Sequence, residues 1–196
     1  MEYSAAIASL RDHLFAIQPL PSAAWAAMAG IWKPFSAGRK TVLTPAGEVE
    51  KYLYYVTAGV QRVFYLHDNG KDATLVLTYP FSFSGIADSF LTGRPSACCL
   101  ETLTASSFLR TSYAQLAELM DAYRDIERLI FKATAFAFGG VLERQIELQC
   151  YSAEEKFRAL LKRSPHVLQL IPHKYLASYL GIDPTTFSKL LGSIRI

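Results

Sequence analysis

The stretch from Leu170 to Leu191, LIPHKYLASYLGIDPTTFSKLL, leaves this chain little choice of local structure. Leu176 and Leu180 precede Gly181, and Phe187 and Leu190 follow it, at spacings that put each pair on one helical face. Gly181 tolerates the left-handed backbone that ends a helix. Asp183 can cap the next helix, and Pro184 suits its first position because it has no N–H to leave unpaired. Ala177 is small where the two helices would cross most closely. The pattern predicts two short helices meeting at a sharp turn. The outer face of the second keeps Thr185, Thr186, Ser188 and Lys189, a hydroxyl-rich surface with one cation, as on a helix that enters the DNA major groove. A plain helical hairpin would also satisfy the apolar spacing, but the number of positions met together favours DNA binding.

The run Ile171-Pro172-His173-Lys174-Tyr175-Leu176-Ala177-Ser178-Tyr179-Leu180-Gly181-Ile182 resembles the helix-turn-helix of the Crp/Fnr family, the regulators related to the cyclic-AMP receptor protein. The likeness is greatest to short members whose chain ends near the recognition helix. The resemblance implies an α+β protein with an amino-terminal β-roll like a cyclic-nucleotide-binding domain, a long dimerisation helix and a carboxyl-terminal helix-turn-helix. Residues 1–150 would form the sensor, with the long helix over about 121–150, and residues 151–196 the DNA-binding domain. Double-stranded DNA and a second copy of the chain are the implied partners, with RNA polymerase added for an activator. In the best-known members an arginine and a glutamate near the start of the recognition helix read bases. Pro184 and Thr185 stand there, and Lys189 replaces a second arginine, so a different operator is implied. It would be read by Thr185, Thr186, Ser188 and Lys189, while His173 and Lys174 are candidates for phosphate contacts. The sequence ends at Ile196, so the usual wing strands are not expected.

Bulk properties agree with a folded regulator. With 51% hydrophobic and 19% charged residues among 196, the chain can bury a substantial core. A net charge of +3 permits nucleic-acid binding without arguing for it; where the charge sits matters more. Cys98, Cys99 and Cys150 make no disulfide framework, which points to a reducing cytoplasm. The amino-terminal residues lack a signal-peptide pattern, and the apolar run from Leu129 to Leu142 is too short to span a bilayer.

In chain order, Ser4 to Phe15 and Ser22 to Ile31 read as helices. Strands are expected at Thr41 to Leu43, Tyr52 to Thr57, Val60 to Leu66, Ala73 to Tyr79, Leu100 to Thr104 and Ser106 to Ser112, with an Asn69-Gly70 hairpin. A short helix, Tyr113 to Met120, precedes one long helix, Asp121 to Cys150. Along the latter Ile126, Ile130, Ala133, Ala137 and Gly140 recur at spacings of three and four, a seam for a partner helix. A core helix in a monomer is the other reading of that periodicity; the resemblance favours dimerisation. Ser152-Ala153-Glu154-Glu155 is a capping box opening the next helix.

The family's phosphate-binding cassette is a Gly-Glu-Leu turn followed by Arg-Ser/Thr-Ala. The corresponding residues are Ser84, Gly85 and Asp88, then Arg94, Ser96 and Ala97. Ile86 stands where the ribose-binding carboxylate should be, and Pro95 replaces the arginine, with Arg94 displaced by one residue. A buried cyclic phosphate without its cation is strongly disfavoured, so an unknown small effector rather than cyclic AMP is expected. Arg94 could reach an anion from a bulged loop, or Arg94 and Asp88 could be plain solvated charges. The four histidines lack metal-ligand spacing, cysteines do not cluster near the amino terminus as in iron–sulfur members, and no nucleophile motif is present, so neither a metal centre nor an enzyme is expected. The rival reading is a ligand-binding or scaffold module of the same fold whose DNA-reading end has decayed.

Overall fold

The computed structural model describes residues 2–193. Helices α1 (Tyr3–Ile17) and α2 (Ser22–Gly30) come first. The strands follow: β1 (Lys33–Ala37), β2 (Val42–Thr44), β3 (Tyr52–Ala58), β4 (Gln61–Leu66), β5 (Asp72–Thr78) and β6 (Phe83–Ser84). Helix α3 (Ala87–Thr92) then leads into β7 (Cys99–Thr102) and β8 (Ser106–Ser112). The rest is helical: α4 (Tyr113–Ala122), α5 (Arg124–Cys150), α6 (Ala153–Arg163), α7 (Val167–Leu170), α8 (His173–Leu180) and α9 (Pro184–Ser193).

Two antiparallel four-stranded sheets, in the orders β1-β8-β3-β6 and β2-β7-β4-β5, face each other as a roll. Side-chain alternation decides what each sheet face meets. On β3 and β8, Tyr54, Val56 and Phe108 point into the roll, while Tyr55 and Leu109 point outward to α1, α2, α4 and the start of α5. Trp32, Leu10, Met28, Ile126 and Leu129 complete that outer core and are almost fully buried.

Four elements escape the sequence reading: β1, β6, α3 and the four-residue α7. β1 carries Pro34 and is an edge strand whose residues are mostly exposed, so no alternation announces it. β6 is two residues long, and α3 has six. The expected long helix begins at Arg124 rather than Asp121, because Tyr123 is extended at φ −131° and ψ 103°. Its N–H closes α4 onto the Leu119 carbonyl, and its own carbonyl accepts from Ile126 to start α5.

Candidate nucleic-acid interface

The turn between α8 and α9 is built as its residues dictate. Gly181 is left-handed at φ 66°, and the N–H of Ile182 returns to the Ala177 carbonyl at 3.1 Å, closing α8. One oxygen of Asp183 then accepts the N–H groups of Thr185 and Thr186, both at 2.9 Å. Leu176, Ala177, Leu180 and Phe187 are buried between the helices, with Leu190 half-buried. Phe187 meets Phe157 of α6 edge-on at 5.3 Å, and the exposed His173 ring lies tilted against it, also at 5.3 Å.

The outer face of α9 is less uniform than its composition suggests. Thr185 and Lys189, one helical turn apart, are exposed, and their side chains have no partner among the described residues. Ser188 is exposed on the same side, but its hydroxyl donates to the Pro184 carbonyl at 2.9 Å. Thr186 is half-buried and gives its hydroxyl proton to Asp183 at 2.6 Å, which holds that carboxyl below its usual range. Lys174 is exposed, its ammonium 4.8 Å from the Tyr175 ring. Residues 151–196 carry seven Lys and Arg against three Asp and Glu, whereas residues 1–150 carry thirteen against fourteen. The small net charge therefore conceals a basic carboxyl-terminal segment, a signal present in the sequence once the charges are placed.

The six pocket candidates lie between the end of β6 and β7, two of them buried and three exposed. Ser84 is buried and accepts from Thr78 at 2.9 Å. Ser96 is buried and accepts the Cys98 N–H, also at 2.9 Å. Gly85, at φ 140°, leaves room for the Tyr52 carbonyl, which a Cβ would meet at 3.3 Å. Asp88, Arg94 and Ala97 are exposed, and the buried Ile86 fills the turn. None of the six lines either of two cavities among the described residues. One, of about 230 Å³, lies between β1, β2 and β3 and reaches Arg110; the other is a shallow surface depression along Leu168–His173.

Helix α5 corrects the expected seam. Ile126 is 0% exposed, so it is not available to a partner, and Ile130 is partly buried beside it on the chain's own outer core. Ala133 is half-buried, and Ala137 and Gly140 are exposed. Continuing the face of Ile126, Leu129 and Ala133 along the helix leads to Arg144 and Glu147, which pack on the carboxyl-terminal helices. Opposite them runs an exposed apolar stripe of Phe131, Ala135, Phe138 and Leu142, with the phenylalanines 75% and 61% exposed. Spacings of four, three and four make that stripe a coiled-coil seam.

No family model matches the sequence, and no curated protein matches it; the likeness to known proteins is one of structure. FixK2 from Bradyrhizobium japonicum superposes with a TM-score of 0.74 at 17% identity, covering 83% of each chain. The catabolite activator protein of Thermus thermophilus gives 0.58 at 22% identity over 94% of this chain and 90% of its own. A transcriptional regulator assigned to the crp/fnr family from Eubacterium rectale gives 0.66 at 15% identity over 88% and 82%. The chain therefore has the Crp/Fnr fold along most of its length: β-roll, long helix and helix-turn-helix in that order.

Proposed function

We propose that this protein is a dimeric, sequence-specific DNA-binding transcription regulator whose β-roll senses a small ligand. The observation that carries the reading is the capped α9, which presents Thr185 and Lys189 to solvent on the basic end of the chain. A helix end so displayed can enter the major groove, with Lys189 reaching base edges and His173 and Lys174, at the start of α8, meeting phosphates. Pairing through Phe131, Phe138 and Leu142 supplies the second copy, since a stripe this exposed and apolar is unfavourable in water. Two recognition helices then address half-sites one DNA turn apart. A ligand in the roll acts by favouring one arrangement of the paired helices over another. No helix of the described residues is long and apolar enough to cross a membrane, and none of their His, Cys, Asp and Glu groups forms a metal-binding cluster.

Anisotropy titration of the purified protein with random-sequence duplex DNA at several salt concentrations tests the reading. A complex that weakens steeply with salt supports it, because each released phosphate counterion adds about 0.9 to the slope. An absence of salt-dependent binding from a folded dimer contradicts it.

A further inference from the structure

Arg110, half-buried at one end of the roll, is a cation that forms no ion pair among the described residues. On β8, Phe108 and Arg110 point inward, and Arg110 pairs with Tyr54 of β3 and Lys33 of β1 in the sheet register. Its guanidinium carbon lies 3.9 Å from the Phe35 ring centroid and 4.2 Å from that of Tyr52. A positive charge on the inner face of a sheet sandwich normally has a carboxylate beside it, because desolvating it alone is costly. None of the ion pairs among the described residues involves Arg110; they gather around Arg62 with Glu101, around Glu147, and on α6. Two acids stand at this end of the roll: Glu48 is exposed, and Glu50, 2% exposed, has its oxygens taken by the N–H groups of Tyr52 at 3.2 Å and Ile86 at 3.4 Å.

Arg110, Phe35, Tyr52 and Tyr54 line one side of the cavity of about 230 Å³, Leu43 and Thr44 of β2 line another, and Glu48, Glu50 and Lys51 complete its rim. That space lies below the range of about 300–1,000 Å³ usual for drug-sized ligands, so it suits a smaller molecule. We infer that this end of the roll binds a small carboxylic acid with a flat apolar body, its carboxylate on the edge of the Arg110 guanidinium and its body between the rings and Leu43. A guanidinium held against two rings and beside the Tyr54 hydroxyl, with no ion-pair partner among the described residues, still has N–H groups to offer a carboxylate. The site uses none of the residues around Gly85 and Ser96, and it does not depend on the DNA-binding reading.

Benzoate is the probe, titrated into the full-length protein by isothermal calorimetry and by NMR of the arginine Nε–H signals. Benzamide controls for the neutral body, and inorganic phosphate for an anion without one. Saturable benzoate binding that moves the Arg110 Nε–H signal in the wild-type protein is expected, with benzamide and phosphate both weaker by about tenfold or more. Arg110→Gln is expected to weaken benzoate by a similar factor, and Arg94→Gln to leave it unchanged. The wild-type NMR reading needs no variant to fold. Equal binding of benzamide, equal binding of phosphate, perturbation confined to other arginines, or no saturation would each overturn the inference.

Discussion

Glu147 shows how single residues hold the carboxyl-terminal helices in place. It is 5% exposed, near the end of α5, and accepts from Arg144 at 2.7 Å and from both terminal nitrogens of Arg163, one of them at 3.1 Å. Arg144 also donates to the Tyr179 carbonyl at the end of α8, so one carboxylate joins α5, α6 and α8. Burial alone would raise the Glu147 pKa, but the guanidiniums of Arg163 and Arg144 outweigh it and hold the group below the ordinary glutamate range. A carboxyl with a depressed folded-state pKa contributes stability above its unfolded pKa, about 4.3, and loses it as the pH falls through the folded value. Glu147→Gln should therefore destabilise the protein at pH 7 by roughly 2 kcal/mol, since the buried Arg144 loses its counter-ion while the more exposed Arg163 is compensated by water. Urea unfolding of both proteins across pH should show the gap close below about pH 4. Gly181 makes a second case. A Cβ there would sit 3.1 Å from Leu148 Cδ2, on a backbone at φ 66°, so Gly181→Ala should cost about 1–2 kcal/mol in the same assay. Gly181, Asp183 and the Ser152–Glu155 capping box were all readable in the sequence, because each acts within a few residues of itself. The hydroxyls of Thr186 and Ser188 were expected on the DNA face and are held within α9, an equally local effect that composition does not reveal. Arg110 and Glu147 could not be read, because their surroundings come from distant parts of the chain.

At the scale of elements, α5 separates periodicity from direction. Its apolar residues lie on more than one face, so spacings of three and four recur on each and cannot say which one meets the β-roll. The stripe of Ile126, Ile130 and Ala133 turns to the chain's own core, and the stripe of Phe131, Phe138 and Leu142 turns away. Phe138→Glu should convert the proposed dimer to a folded monomer, read by sedimentation equilibrium, while the far-ultraviolet spectrum is unchanged. Leu129→Ala should instead lower stability by about 2–5 kcal/mol through the cavity it leaves, without altering the association state. The central strands were legible from their β-branched and aromatic runs, whereas β1 and β6 form only because β8 and β3 offer them edges. That information is in the partner strand, not in the segment itself.

Across the whole molecule, the helix-turn-helix is docked on its own β-roll. Val60 and Leu103 share a core with Phe157, Leu160, Ile171, Tyr175 and Leu176. The Ser178 hydroxyl accepts the Thr74 N–H of edge strand β5 at 3.0 Å, and the Tyr175 hydroxyl accepts from Lys40 at 2.5 Å. The Arg62 guanidinium lies 4.6 Å from the Tyr175 ring and is fixed by Glu101 at 2.6 Å and Asp72 at 2.8 Å. Tyr175→Ala should loosen this docking, costing roughly 3 kcal/mol, and hydrogen exchange should show α8 losing protection while β3 and β8 keep theirs. Thr185 and Lys189 stay exposed in the docked arrangement, so docking fixes the orientation of α9 without covering its outer face. That arrangement serves a regulator only if the displayed face reads DNA. Selection of bound sequences from random duplexes, run in parallel with Lys189→Ala, tests this most directly. The account predicts an enriched two-fold-symmetric motif with half-sites about 10 base pairs apart, relaxed in the variant. A folded, dimeric protein that enriches no motif, with or without benzoate present, would contradict it.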